Sequence, residues 1–477
     1  MPRGFFYYLT VQINSGLIYN KLYWSYIRMI EKRYKRTNPY LTIIGSFAAI
    51  IAVGCLLLML PFASSSGKSI GIINSLFMAT SAVCVTGLSV VTVGVDFTVF
   101  GKVVMAALME VGGLSFITIA VFFFTMLGAK IGITDSFMIR ESLNQSSVKG
   151  LVPLVRKIVG ISLSVQFLGT VINAFEFNKI YGSVPKAMGV SLFHSIASFN
   201  NAGFDVFGPD SMIPFRDNAV INITTMSMIF IGSLGFIVWD DIYRKKKWKK
   251  LKLHSKIVLV TTACLVIGGA LIIKLTLRDP DFTWLQAAFA SITCRTAGFT
   301  TYDLSALKDY PAAYLVFVFL MIIGASPCST GGGIKTTTLA VVVLVLISYA
   351  KGQSTRVFKR RIGDSQIFKA FVLIGLCVAV VGTGTFLVSA IQPDIILAGG
   401  EKAGFAEILF EVASAFSTTG LSMGITSALN GANRVLLCLI MFCGRLGPLT
   451  IIGVVNKNWM SESKESIQYV EENVIIG

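Results

Sequence analysis

The chain has 477 residues, 54% of them hydrophobic and 14% charged, with a net charge of +17. Soluble proteins carry about a quarter charged residues, so a set of soluble domains is excluded in favour of a chain whose solvent is lipid. The positive excess does not point to nucleic acid, because it is gathered in particular connectors between apolar runs.

Runs of about 20 apolar residues can cross a bilayer as helices. Eight are predicted: 40–62, 98–128, 151–176, 219–241, 257–276, 311–350, 366–391 and 432–455. Shorter apolar stretches between them are predicted to be re-entrant. The segment 1–39 carries Arg3, Lys21, Arg28, Lys32, Arg33, Lys35 and Arg36 against a lone Glu31. The connector after the fourth run holds Arg244 to Lys247, then Lys249, Lys250 and Lys252. The one after the sixth holds Lys351, Arg356, Lys359, Arg360 and Arg361. Basic connectors stay cytoplasmic, so eight crossings leave both termini inside. The first forty residues lack the order of a cleaved signal peptide. The eight cysteines are scattered and are expected to act as small apolar residues. With only His194 and His254, a histidine metal centre is not expected.

Four segments repeat one pattern: Ala82 to Ser89, Ser198 to Asp205, Thr293 to Thr300 and Ala415 to Ser422. Each has a small residue, then Gly87, Gly203, Gly298 or Gly420, then Leu or Phe. Phe77, Phe193, Phe289 and Phe410 lie nine or ten residues before the glycine. Gly112, Gly232, Gly324 and Gly444 follow it by 25, 29, 26 and 24 residues. A single glycine in a membrane helix usually serves close packing; four aligned copies require more. The predicted unit is a long helix, a short helix, a glycine turn and a second long helix. The predicted fold is therefore all-α: eight transmembrane helices in four such repeats, with pseudo-fourfold symmetry around a cation pore. The boundaries are a cytoplasmic segment 1–39, repeats 40–128, 129–242, 243–350 and 351–456, and a cytoplasmic tail 457–477.

Non-helical backbone at membrane depth survives only in protein or against water. Its carbonyls can replace an ion's hydration shell, and the C-terminal end of each short helix favours a cation. No acidic residue is shared by the four turns, which argues against calcium and favours a weakly hydrated monovalent cation, potassium ahead of sodium. The sixth run is too long for one crossing and contains Gly324-Ala325-Ser326-Pro327-Cys328-Ser329-Thr330-Gly331-Gly332-Gly333-Ile334-Lys335. Proline and the glycine triplet break a helix, predicting a loop inside the membrane that lies below the turns and blocks the pore. No Walker A sequence is present. Arg445, a charge within the last run, is predicted to gate the pore and to bond that loop. Arg295 is expected to point behind the third turn, toward Glu411. Glu110 either tunes cation affinity or pairs within the bundle. Asp240 and Asp241 are expected to cap the end of a span.

The four turns, with Asn200-Asn201-Ala202-Gly203-Phe204, Arg295-Thr296-Ala297-Gly298-Phe299 and Gly444-Arg445-Leu446-Gly447-Pro448, resemble the Trk/Ktr/HKT potassium transporters. Over roughly 40–477 the chain is most similar to their KtrB-type membrane subunits, although 1–39 is longer than that pattern. The resemblance implies a selectivity filter for K+ on Val85, Thr86 and Gly87; Asn201, Ala202 and Gly203; Thr296, Ala297 and Gly298; and Thr418, Thr419 and Gly420. It implies a gate on Ser329, Thr330, Gly331, Gly332, Gly333 and Arg445. It also implies a multi-pass protein of the bacterial cell membrane, a homodimer with one pore per protomer, and a cytoplasmic ring of nucleotide-binding KtrA-type regulatory subunits docked on the basic loops and tail. It admits Na+ as a second ion; nucleotide would enter only through the regulatory subunits, and no covalent cofactor is expected. A coupled secondary transporter for another solute is the alternative, because transporters also use broken helices. An enzyme is not expected, since no nucleophile–base pair or cofactor motif occurs.

Overall fold

The computed structural model describes residues 39–126, 151–397, 399–448 and 450. The predicted segment 1–39, except its last residue, and the tail 457–477 lie outside the described residues, as does most of the connector between the first two predicted repeats. The chain divides into two compact units, residues 43–448 and residues 1–42 with 449–477. Only the first is described at any length.

Among the described residues, four helices are each long and apolar enough to cross a membrane: α1 (Pro39–Met59), α5 (Leu151–Tyr181), α9 (Leu253–Thr276) and α13 (Asp364–Ile391). Their outward faces carry large apolar side chains, including Leu56 (60% exposed), Phe167 (67%), Ile267 (70%) and Phe386 (69%). In water such a surface would be a liability. Against lipid tails it needs no partner, because every backbone bond is satisfied inside the helix.

Each long helix is followed by a short one: α2 (Ile72–Val83), α6 (Val184–Phe199), α10 (Trp284–Thr293) and α14 (Phe405–Ser417). At 10 to 16 residues, or roughly 15–24 Å at 1.5 Å per residue, they are too short to cross. Local chemistry fixes where they begin. Thr283 and Gln286 form a reciprocal capping box at α10. Pro185 occupies the first turn of α6, where its missing N–H costs nothing. At α14 the Glu407 carboxylate accepts from the Gly404 amide at 3.0 Å. Phe77, Phe193, Phe289 and Phe410 all point into one large apolar core that surrounds these helices.

The second helix is broken in the first three predicted units; the expected loop in 311–350 is one of these breaks, and hydropathy did not reveal the other two. α3 (Val99–Leu114) gives way to α4 (Phe116–Met126) at Ser115, whose φ is 70°. α7 (Ala219–Ser233) and α8 (Phe236–Lys245) meet at 90° across Leu234 and Gly235. The run 311–350 is α11 (Pro311–Ile322), a loop, and α12 (Thr336–Ala350). α15 (Gly431–Leu446) ends at Gly447, with φ 83°, and part of the expected span 432–455 lies outside the described residues. Ser115, Gly235 and Gly447 each stand three residues after Gly112, Gly232 and Gly444.

Packing runs in a circuit. α3 lies on α6, α7 on α10, α11 on α14, and α15 returns to α2. Asp241 accepts from the Lys252 amide and the Ser255 hydroxyl at 2.8 and 2.7 Å, tying the end of α8 to the start of α9. Asp240 pairs with Lys157 and Arg244. Between α12 and α13, β1 (Arg356–Val357) and β2 (Arg360–Arg361) form a small basic hairpin. Its two turn residues, Phe358 and Lys359, have φ of 48° and 62°, as a tight two-residue hairpin demands.

Candidate functional site

The four turns that follow α2, α6, α10 and α14 share one backbone conformation. Two residues before each glycine φ is positive: Val85 56°, Asn201 59°, Thr296 76° and Thr418 52°. The glycines are positive again, at 95°, 69°, 79° and 87°. Val85, Thr296 and Thr418 are β-branched, and such residues are genuine outliers in the left-handed region, at about 1–2 kcal/mol each. Strain of this kind persists where the surroundings enforce it, chiefly at functional sites. A backbone that alternates hand from residue to residue turns successive carbonyls to the same side. Each turn is anchored by its middle amide: Thr86 N to Ser81 O and Ala202 N to Ala197 O at 2.8 Å, Ala297 N to Thr293 O and Thr419 N to Ser414 O at 2.9 Å.

The turns meet. A Cβ built on Gly87 would lie 2.7 Å from the Ala202 oxygen. On Gly203 it would lie 2.7 Å from the Ala297 oxygen, on Gly298 2.5 Å from the Thr419 oxygen, and on Gly420 2.9 Å from the Gly87 Cα, hard against the Thr86 oxygen. First touches second, second third, third fourth, and fourth first. The ring is therefore closed, and its glycines admit no side chain. Behind it, Gly112, Gly232 and Gly444 press on the carbonyls of Val83, Phe199 and Phe416, leaving no room for a Cβ. A cavity of about 350 Å³ adjoins Gly87 and Gly203 and includes Asp96 and Asp205 in its wall.

The loop between α11 and α12 lies against the same ring. Cβ atoms on Gly331 and Gly332 would strike the hydroxyls of Thr296 and Thr418, and one on Gly333 would sit 3.3 Å from the Ser417 Cβ. The Thr330 amide donates to Gly232 O and its hydroxyl to Phe199 O, both at 3.2 Å. The Ser329 hydroxyl donates to Ser326 O at 2.6 Å and closes the loop's own turn. Arg445 reaches across to it. One guanidinium nitrogen donates to the Thr330 carbonyl, the other to the carbonyls of Gly112 and Gly113. Lys335, which sequence reasoning did not single out, donates to Gly331 O at 2.7 Å and Gly332 O at 3.3 Å.

Arg295 departs from expectation, and Glu110 takes one of the two roles expected for it. Arg295 does not meet Glu411. Its guanidinium, 2% exposed, donates to the Ser233 hydroxyl at 3.4 Å, and its Nε and Nη1 have no acceptor among the described residues. Glu411 instead accepts from the hydroxyls of Ser422 and Thr426. Glu110 pairs within the bundle: it accepts from Ser162, Gln166 and Asn200 at 3.2, 2.8 and 2.6 Å. Asn201 also links the second turn to the third, its amide donating to the Thr296 hydroxyl at 3.2 Å.

Comparison with known proteins gives the family and the fold. Residues 12–467 match the TrkH family of cation transport proteins. The chain is 34% identical to Ktr system potassium uptake protein B of Bacillus subtilis, over 92% of this chain and 97% of that protein. It is 34% identical to the potassium/sodium uptake protein NtpJ of Enterococcus hirae, over 93% and 98%. The crystal structure of the potassium transporter TrkH from Vibrio parahaemolyticus shares its fold, with a TM-score of 0.68 at 18% identity, over 88% of this chain and 85% of that one. This multi-pass helical membrane protein belongs to the TrkH family of cation transport proteins.

Proposed function

We propose that the chain takes up potassium across the cell membrane through a channel-like pore. The ring of main-chain carbonyls is its selectivity filter; the loop between α11 and α12, held by Arg445, is its gate. The observation that carries this is the closure of the ring, Gly87 on Ala202, Gly203 on Ala297, Gly298 on Thr419 and Gly420 on Gly87. An alkali ion gives up its water only where oxygens replace it on several sides at once. Four turns at the C-terminal ends of four short helices supply those oxygens with a favourable dipole. Neutral carbonyls suit a weakly hydrated ion, hence potassium. The names of the Bacillus subtilis and Enterococcus hirae relatives support potassium uptake, and the second supports sodium as an additional ion.

In this account the broken helices α3–α4, α7–α8 and α11–α12, together with α15, are the second spans of four repeats. Together with α1, α5, α9 and α13 they give eight crossings in pseudo-fourfold array, with both termini in the cytoplasm of a bacterial cell. The glycines of the loop lie against Thr296 and Thr418, where a body of that size obstructs an ion. Arg445 adds a positive charge beside the path. The relatives' names speak of a Ktr system, which supports a partner subunit; in this account that partner is a KtrA-type nucleotide-binding ring serving a homodimer, with the basic hairpin at 356–361 and the tail as its docking surface.

Growth of a potassium-uptake-deficient bacterium at low potassium, with and without sodium, tests the proposal. Rescue by the chain, with uptake inhibited by rubidium and not by organic solutes, is expected. Absence of rescue by a protein that reaches the membrane, or competition by an organic solute, would contradict it.

A further inference from the structure

Position 110 is acidic in the first unit only. The equivalent residues, two before the landmark glycines, are Phe230, Ile322 and Phe442. A carboxylate at membrane depth is costly and marks a function. A cation site is the first thought, but three donors already occupy its oxygens: Ser162 on Oε1, Gln166 and Asn200 on Oε2. A cation would have to displace hydrogens aimed at it.

We propose that Glu110 is a positioning residue for the second turn of the ring. Its carboxylate, held on α5 by Ser162 and Gln166, clamps the Asn200 side chain and so fixes the carbonyls next to it. This rests on the ring being the selectivity filter. Asn200 is fully buried and immediately precedes Asn201, the left-handed residue of that turn. Its amide orientation is forced, because Nδ2 donates to Ile196 O at 3.0 Å as well as to Glu110. Turning it over would set Oδ1 against the carboxylate. Its other face fills the space over Gly113, where a Cβ would strike Oδ1. Glu110 thus joins three elements at one point: α3, which carries it, α5, which orients it, and the turn. The clamp reaches further, since Asn201 bonds Thr296 of the third turn. The same turn of α3 offers its Gly112 and Gly113 carbonyls to Arg445, so filter and gate are anchored within four residues of one helix.

The test is a double-mutant cycle on the full-length protein in lipid vesicles, reading the ratio of K+ to Na+ uptake. E110Q keeps one oxygen for Asn200 but loses the charge and turns its amide nitrogen toward Ser162; N200D sets two carboxylates against each other. Bonds to charged groups are strong enough for about a tenfold fall in the ratio in each single variant. E110Q/N200D restores a donor to an acceptor at this contact but not the bond to Ile196, and should recover the ratio by about threefold or more over N200D alone. Wild-type ratios in both single variants, or losses that add in the pair, would overturn the role. Should neither single variant fold, the pair decides alone: a folded protein that still discriminates K+ from Na+ supports the clamp, a folded one with a collapsed ratio refutes it. Gly203→Ser on the same vesicles separates the two claims. If it keeps the wild-type ratio, or wild type itself fails to discriminate, the filter assignment is wrong; if it loses the ratio while the Glu110 cycle stays flat, only the clamp is wrong.

Discussion

The ring and the loop beneath it are held in opposite ways. Each turn of the ring is fastened to the short helix that leads into it, by an amide bond to a carbonyl four or five residues back, such as Thr86 to Ser81 and Thr419 to Ser414. Its shape is set locally. The loop is fastened to other units. Thr330 bonds Gly232 and Phe199, Ser326 bonds Ser233, and Arg445 reaches it from α15 while gripping Gly112 and Gly113. Its position is set by neighbours far along the chain. A device that must keep one shape is tied to itself, and one that must move is tied to what can move away from it. The third unit shows the consequence. Gly112, Gly232 and Gly444 pack on their own short helices, but Gly324 packs on Gly332 of the loop, so the loop takes the place of an ordinary helix contact.

That contrast can be broken from either side. The largest effect is expected at the ring. Gly203→Ser forces a side chain at φ 69° into the Ala297 carbonyl. Strain of about 1–3 kcal/mol in the turn should cost about tenfold or more in K+ over Na+ discrimination, read as the uptake ratio in vesicles. Arg445→Ala comes next. It removes charge-assisted bonds to the loop and to α3, and resting K+ flux should rise about tenfold with selectivity kept. Unchanged flux would remove the gating role. Lys335→Met is the mildest, because its bonds to Gly331 and Gly332 lie within the loop. It should raise resting flux by about threefold, measured in the same assay; a rise matching that of Arg445→Ala would mean that the loop is held from within and the contrast fails.

How much of this was legible in the sequence follows from the same contrast. The turns were legible, because four glycines in register are a local signal and the structure brings all four together. The loop was legible from Pro327 and the glycine triplet. The breaks in the second spans were not. Ser115 adopts a left-handed φ, yet an apolar run on either side of a serine reads as one helix to any measure of hydropathy. The partners of the buried charges were hidden for another reason. Glu110 meets residues 52 to 90 positions away, and Arg295 turns to Ser233, 62 positions away, where a carboxylate looked the better partner. Such choices depend on which helix packs beside which. The left-handed Val85 and Thr418 left no trace either, since β-branched residues ordinarily argue against that conformation.

The ring as an ion site is tested most directly by anomalous scattering from crystals of the protein grown in rubidium. The account predicts rubidium density on the axis of the ring, within contact distance of the oxygens of Thr86, Ala202, Ala297 and Thr419, and none at the carboxylate of Glu110. Rubidium bound elsewhere, with the axis of an intact ring empty, would contradict it.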